Sequence, residues 1–183
     1  VGGCTAPTMT AAPSPVVANS PATSSVSTTS PVAQRDWRPS RVTITALGIA
    51  APISPMGLNP DGTVEVPALD RPDLVGWYSG SPAPGDPGPT VLLAHASVNG
   101  IPGAFLRLGE ARVGTEIAVT RADGTTIRYA VTRVATYAKA QFPTEEVYGD
   151  RPGPELRLIT CARTGLDARS FDANTVVYAV PLT

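Results

Sequence analysis

The sequence predicts an all-β domain, a barrel or a sandwich, behind a long unstructured tail. Three observations carry that expectation. From about residue 40 the chain is a succession of short β-type runs broken by turn residues. Helical spacing is confined to three single turns. The first 39 residues have a different texture, built from Ala, Pro, Ser, Thr and Val with no period of 2 or 3.6.

The tail comes first. Ser20 to Ser30 reads SPATSSVSTTS, a low-complexity tract. Such a segment cannot bury enough apolar surface to offset the entropy of ordering it, so residues 1–39 are expected to form a disordered linker. About 35 extended residues at ~3.1 Å each would reach roughly 100 Å. Residues 40–183 are the expected folded domain. A β-type run at 42–49 opens it, and Asn59-Pro60-Asp61-Gly62 is a strong turn before a run at 63–66. Val91-Leu92-Leu93-Ala94 is short and wholly apolar, as a buried strand should be. Residues 116–121 and 125–134 alternate around Ala122-Asp123-Gly124, which predicts a hairpin. Runs at 156–160 and 175–181 supply two more strands, and single helical turns are expected at 71–75, 103–108 and 144–148. No repeat of fixed period is present.

Composition narrows the function classes. At 183 residues the chain has room for one ordinary domain plus a tail. Charged residues make up 16%, below the ~25% typical of soluble domains. No apolar run approaches the ~20 residues that span a bilayer. A formal net charge of -1 gives no electrostatic basis for nucleic acid as a partner.

Scarcity points to the chemistry. The chain has one histidine, His95, and two cysteines, Cys4 in the tail and Cys161 in the domain. His95 follows the predicted strand at 91–94 and Cys161 follows that at 156–160. Strand ends hold side chains on a rigid frame while leaving them open to a cleft. A thiolate is a nucleophile, and a neighbouring imidazole can activate it and protonate a leaving group. The same two residues also fit a buried structural cysteine and an incidental surface histidine, and position alone leaves both readings open. The two cysteines read as separate thiols with separate jobs, not as a disulfide. The carboxylates of Glu145, Glu146 and Asp150 fit a solvated turn better than a calcium site.

The wording around these residues resembles a known family. Leu158-Ile159-Thr160-Cys161 is similar to the sortase signature Thr-Leu-x-Thr-Cys, with Arg157 in place of the first Thr. Leu92-Leu93-Ala94-His95 resembles the segment that delivers the sortase histidine. Further stretches, among them Val64-Glu65-Val66-Pro67, Gly76-Trp77-Tyr78, Phe105-Leu106-Arg107-Leu108-Gly109 and Val147-Tyr148-Gly149, occur in the family's order across nearly all of residues 41–183. They are most similar to class F, or the related class E, sortases of high-GC Gram-positive bacteria.

That resemblance implies an eight-stranded sortase-type barrel with short helices in its loops. It implies a cysteine transpeptidase with Cys161 as nucleophile and His95 as its partner. The substrate would be a protein with a Leu-Pro-x-Thr-Gly-like sorting signal, cleaved between Thr and Gly, and the acyl group would pass to an amine acceptor or to water. No metal or organic cofactor is implied, and the setting would be extracytoplasmic, at the cell surface. A papain-like hydrolase does not fit, because its cysteine precedes its histidine in the chain. Val1-Gly2-Gly3-Cys4 resembles the end of a bacterial lipoprotein signal, so Cys4 is expected to carry a lipid and to supply the only membrane contact.

Two departures from the family pattern stand out. His95-Ala96-Ser97 stands where His-Val-Asp is common. The family's catalytic arginine lies two residues before an Asn that opens the last strand, and counting back from Asn174 gives Asp172, an acid. Arg169 is therefore the expected catalytic cation and Arg163 the second choice. The alternative reading is a catalytically weak sortase-fold protein that binds wall peptides or a partner.

Overall fold

The computed structural model describes residues 36–162 and 172–182. The chain divides into two units, Val1–Gln34 and Arg35–Thr183, and the described residues belong to the second. The expected linker, with Cys4, lies outside the described residues apart from its last four positions.

Eight strands close into a barrel. They are β1 (Pro39–Ile44), β2 (Ile49–Met56), β3 (Val75–Tyr78), β4 (Gly88–Ala94), β7 (Glu116–Arg121), β8 (Thr126–Ala138), β9 (Pro154–Ala162) and β10 (Ala173–Pro181). A two-residue pair, β5 (Ser97–Val98) and β6 (Ile101–Pro102), forms a separate hairpin. The order around the barrel is β1-β2-β3-β4-β9-β10-β8-β7. β2 pairs with β3 and β4 pairs with β9 in parallel, and the remaining neighbours are antiparallel. A parallel neighbour needs a long crossover. The β4-to-β9 crossover holds the β7–β8 hairpin and the one α-helix among the described residues, α1 (Thr144–Tyr148).

Alternation along the strands divides the core in two. Val42, Ile44, Ile49, Ile53, Leu156, Leu158, Val177 and Ala179 point inward with Phe105, Leu108 and Tyr129 and fill the barrel. Val91, Leu93, Ile159, Val176 and Tyr178 point outward and are covered by Val147 of α1. β4 is thus buried along its whole length on both faces, which is why its sequence is continuously apolar. Among the described residues no helix is long and apolar enough to cross a membrane.

The hairpin at 116–138, the buried strand ending at Ala94, the strands at 154–162 and 173–181 and the helix at 144–148 match the sequence expectations. Four details differ. The run at 42–49 is not one strand: Thr45–Leu47 forms a 3-10 turn and Gly48 takes φ 66, so the chain reverses into β2. β2 is hidden in the sequence by Pro52 and Pro55, which offer no N–H to a ladder. The run at 63–66 contributes only an isolated bridge between Val64 and Leu58. The expected helical turn at 71–75 is a tight turn closed by the Leu74 N–H on the Arg71 carbonyl, and β3 starts at Val75.

Candidate active site

β4 and β9 run side by side in parallel, and their last register pair is Ala94 with Thr160. The next residue on each strand is His95 and Cys161. Neighbouring strands lie about 4.8 Å apart, so this register alone makes the histidine and the cysteine neighbours. A buried hydrogen bond pins the two strand ends together: the Thr160 hydroxyl donates to the Ala94 carbonyl at 2.9 Å. On the far side of β9, Asn174 of β10 is the direct register partner of Cys161. The order across the strand ends is therefore His95, Cys161, Asn174.

His95 is held from two directions. Its Nε2 lies 2.7 Å from the carbonyl oxygen of Pro67, in the long segment between β2 and β3. A carbonyl only accepts, so Nε2 carries a hydrogen and Nδ1 is left as the nitrogen that can take up and release a proton. The backbone carbonyl of His95 accepts the Phe105 N–H at 3.1 Å, and the Ala96 carbonyl accepts the Gly103 N–H at 2.9 Å. Gly103 is packed so closely there that a Cβ would fall 2.7 Å from the His95 carbonyl carbon and nearer still to its oxygen. No side chain fits at that position while His95 stays where it is.

Cys161 is a half-buried free thiol. It opens, with His95, into a cleft of about 400 Å³ walled by Val64, Val66, Leu93, Ile159 and Tyr148. Thr63, Val64, Tyr148 and Asn174 also border an adjoining pocket of about 480 Å³, lined by Leu58, Tyr78 and Phe142. The three rings of that pocket support one another: Tyr78 and Tyr148 meet edge to face at 6.3 Å between centroids, and Phe142 lies 6.2 Å from Tyr148. Burial pushes the Tyr148 phenol upward, further disfavouring its charged form. A groove with a nucleophile and an imidazole at one end and an aromatic pocket at the other can hold an extended peptide with an apolar side chain.

The other expected site residues divide as follows. Arg169 and Arg163 lie outside the described residues. Asp172 is exposed, and its backbone carbonyl accepts the N–H of Lys139 at 2.9 Å. Glu145 and Glu146 open α1, and Glu146 pairs with Arg133. Sequence reasoning missed Lys139, which lines the cleft with His95 and Cys161. Scarcity would have found it: Lys139 is the one lysine of the chain, as His95 is the one histidine.

The barrel and its cleft define a class of protein in which a thiol and an imidazole share the mouth of a parallel strand pair. The chain belongs to the sortase family, whose domain model matches residues 42–182. Sortases are cysteine transpeptidases, and this chain is one of that enzyme class. Solved structures share the fold. Sortase C-1 from Actinomyces oris is 22% identical, with a TM-score of 0.61 over 78% of this chain and 73% of that one. A lid mutant of sortase A from Corynebacterium diphtheriae is 19% identical, with a TM-score of 0.62 over 83% of this chain and 73% of that one. Sortase C1 of Streptococcus agalactiae, in complex with MTSET, is 21% identical, with a TM-score of 0.60 over 78% of this chain and 66% of that one. No curated protein matches the chain in sequence.

Proposed function

We propose that this sortase cleaves a Leu-Pro-x-Thr-Gly-like sorting signal between Thr and Gly. The thiolate of Cys161 attacks the Thr carbonyl carbon, and the resulting tetrahedral centre collapses to a thioacyl enzyme as the C–N bond breaks. His95 protonates the departing glycine amine, then takes a proton from the amine acceptor, or water, that releases the acyl group. Arg169 supplies the cation for the oxyanion, with Arg163 as second choice. The observation that carries this reading is the register of β4 on β9, which makes the one histidine and the domain's one cysteine neighbours in a peptide-sized groove. The aromatic pocket suits the Leu of such a signal.

Within the family, stretches such as Val64-Glu65-Val66-Pro67 and Phe105-Leu106-Arg107-Leu108-Gly109 support class F or E. The tail then serves as an extracytoplasmic tether, residues 1–39, lipidated at Cys4, ahead of a catalytic domain at 40–183. A panel of fluorogenic sorting-signal peptides, with and without an amine acceptor, tests the reading. Cleavage that Cys161→Ala abolishes is expected. MTSET should likewise modify Cys161 in the native protein. One observation favours a second reading, a weakly catalytic protein that binds wall peptides: an acid, Asp172, stands where the family pattern has its arginine. Cleavage gained by Asp172→Arg in an otherwise inactive protein would favour it.

A further inference from the structure

The cleft carries a charge that the proposed mechanism does not use. Lys139 follows Ala138, the last residue of β8, which pairs with Ala173 of β10, which in turn pairs with Ala162 of β9. Lys139 therefore stands two strands away from Cys161, on the side opposite His95. Two strand spacings of about 4.8 Å put its backbone roughly 10 Å from that of the cysteine. Its N–H is fixed on the Asp172 carbonyl, while its side chain is exposed along the cleft wall. Among the described residues Lys139 has no carboxylate partner, and no acidic residue lines the cleft. Asn174, between Lys139 and Cys161, adds a neutral donor. A lysine ammonium beside apolar walls attracts an anion.

The reach of the side chain limits which anion. A lysine carries its ammonium on a flexible four-carbon stem, so from a backbone about 10 Å away it meets substrate groups within about three residues of the scissile bond, at the ~3.3 Å rise per residue of an extended peptide. We propose that Lys139 anchors a carboxylate in this cleft, so that the sortase selects substrates carrying one close to the scissile bond, on the sorting signal or on the amine acceptor. This rests on the cleft being the sortase site.

Two measurements test it, both in a Cys4→Ser background so that Cys161 is the only thiol. The first needs no turnover. Methanethiosulfonates form a mixed disulfide with the thiolate and release methanesulfinate, and the anionic sulfonatoethyl reagent and cationic MTSET differ in charge. The anionic-to-cationic rate ratio should fall about two- to tenfold in Lys139→Met, fall further in Lys139→Glu and recover in Lys139→Arg. Arg112→Gln, outside the cleft lining, should keep the wild-type ratio. The second measures cleavage and transfer. One arm compares sorting-signal peptides with Glu or Gln at the variable position, and the other compares glycine with glycinamide as acceptor. A carboxylate preference that Lys139→Met removes is expected in one arm, and that arm identifies the source. An unchanged reagent ratio in Lys139→Met, or no carboxylate preference in either arm, overturns the proposal. A lysine-dependent reagent ratio with no peptide cleaved would support the anion site and count against the proposed sorting-signal cleavage instead.

Discussion

Substituting alanine for Gly103 should disable the site without touching either residue proposed to do the chemistry. The added Cβ would lie 2.7 Å from the His95 carbonyl carbon, where ordinary carbon–carbon contacts sit near 3.5–4.0 Å. One backbone or the other must retreat by about 1 Å. The retreat falls on the segment that fixes His95, because the Gly103 N–H is bound to the Ala96 carbonyl and the Phe105 N–H to that of His95. Misplacing a catalytic group by 1 Å costs about 10²-fold in rate, or about 2.7 kcal/mol of barrier, and forced overpacking costs about 1–3 kcal/mol of stability. The assay is kcat/KM on a fluorogenic sorting-signal peptide, alongside urea unfolding. Gly109→Ala is the control, since a Cβ there meets nothing within 4 Å. Wild-type turnover in Gly103→Ala would show that the Gly103 contact does not set the position of His95. Lost stability with unchanged turnover of the folded protein would reduce Gly103 to a packing residue.

Alkaline pH should weaken the fold through Tyr129. Burial pushes its phenol up to about 12, so below the unfolded value of 10 both states are neutral and that stability is complete. Between pH 10 and about 12 the unfolded chain ionises first and stability falls, by at most ~1.4 kcal/mol per pH unit for this group. The urea midpoint should therefore drop between pH 10 and about 12, less steeply in Tyr129→Phe. Arg169→Ala should lower turnover by roughly 10²–10³, as expected for one lost oxyanion donor, and Arg163→Ala by much less. If neither matters in an active wild type, another cation fills the role. Cys4→Ser should abolish palmitate incorporation in a host that processes lipoproteins, and labelling that persists would remove Cys4 as the anchor.

Much of the fold was legible because the decisive runs are local. Val91 to Ala94 shows its two-sided burial in composition, and Asp123-Gly124 fixes the hairpin by turn chemistry. β2 was illegible because Pro52 and Pro55 argue against a strand, and the pairing that accommodates them, Pro52 opposite Arg41 of β1 and Pro55 opposite Trp77 of β3, is a tertiary fact. β3 was missed because four residues, Val75 to Tyr78, are too short to show a period. Cys161 and His95 were legible by scarcity and by their positions after apolar runs. That they are partners came only from the resemblance to sortases, because residue patterns do not show the register of two strands more than 60 residues apart. Lys139 showed no motif, and although its scarcity marks it, its place in the cleft comes from the closure of β8 on β10.

If Cys161 carries the acyl group, intact-mass measurement of the protein mixed with a sorting-signal peptide, without amine acceptor, will show it. The expected result is a mass increase equal to the acyl fragment ending in Thr, mapped to Cys161, absent from Cys161→Ala and discharged by an added amine. An adduct at another residue, or cleavage that survives in Cys161→Ala, would contradict it.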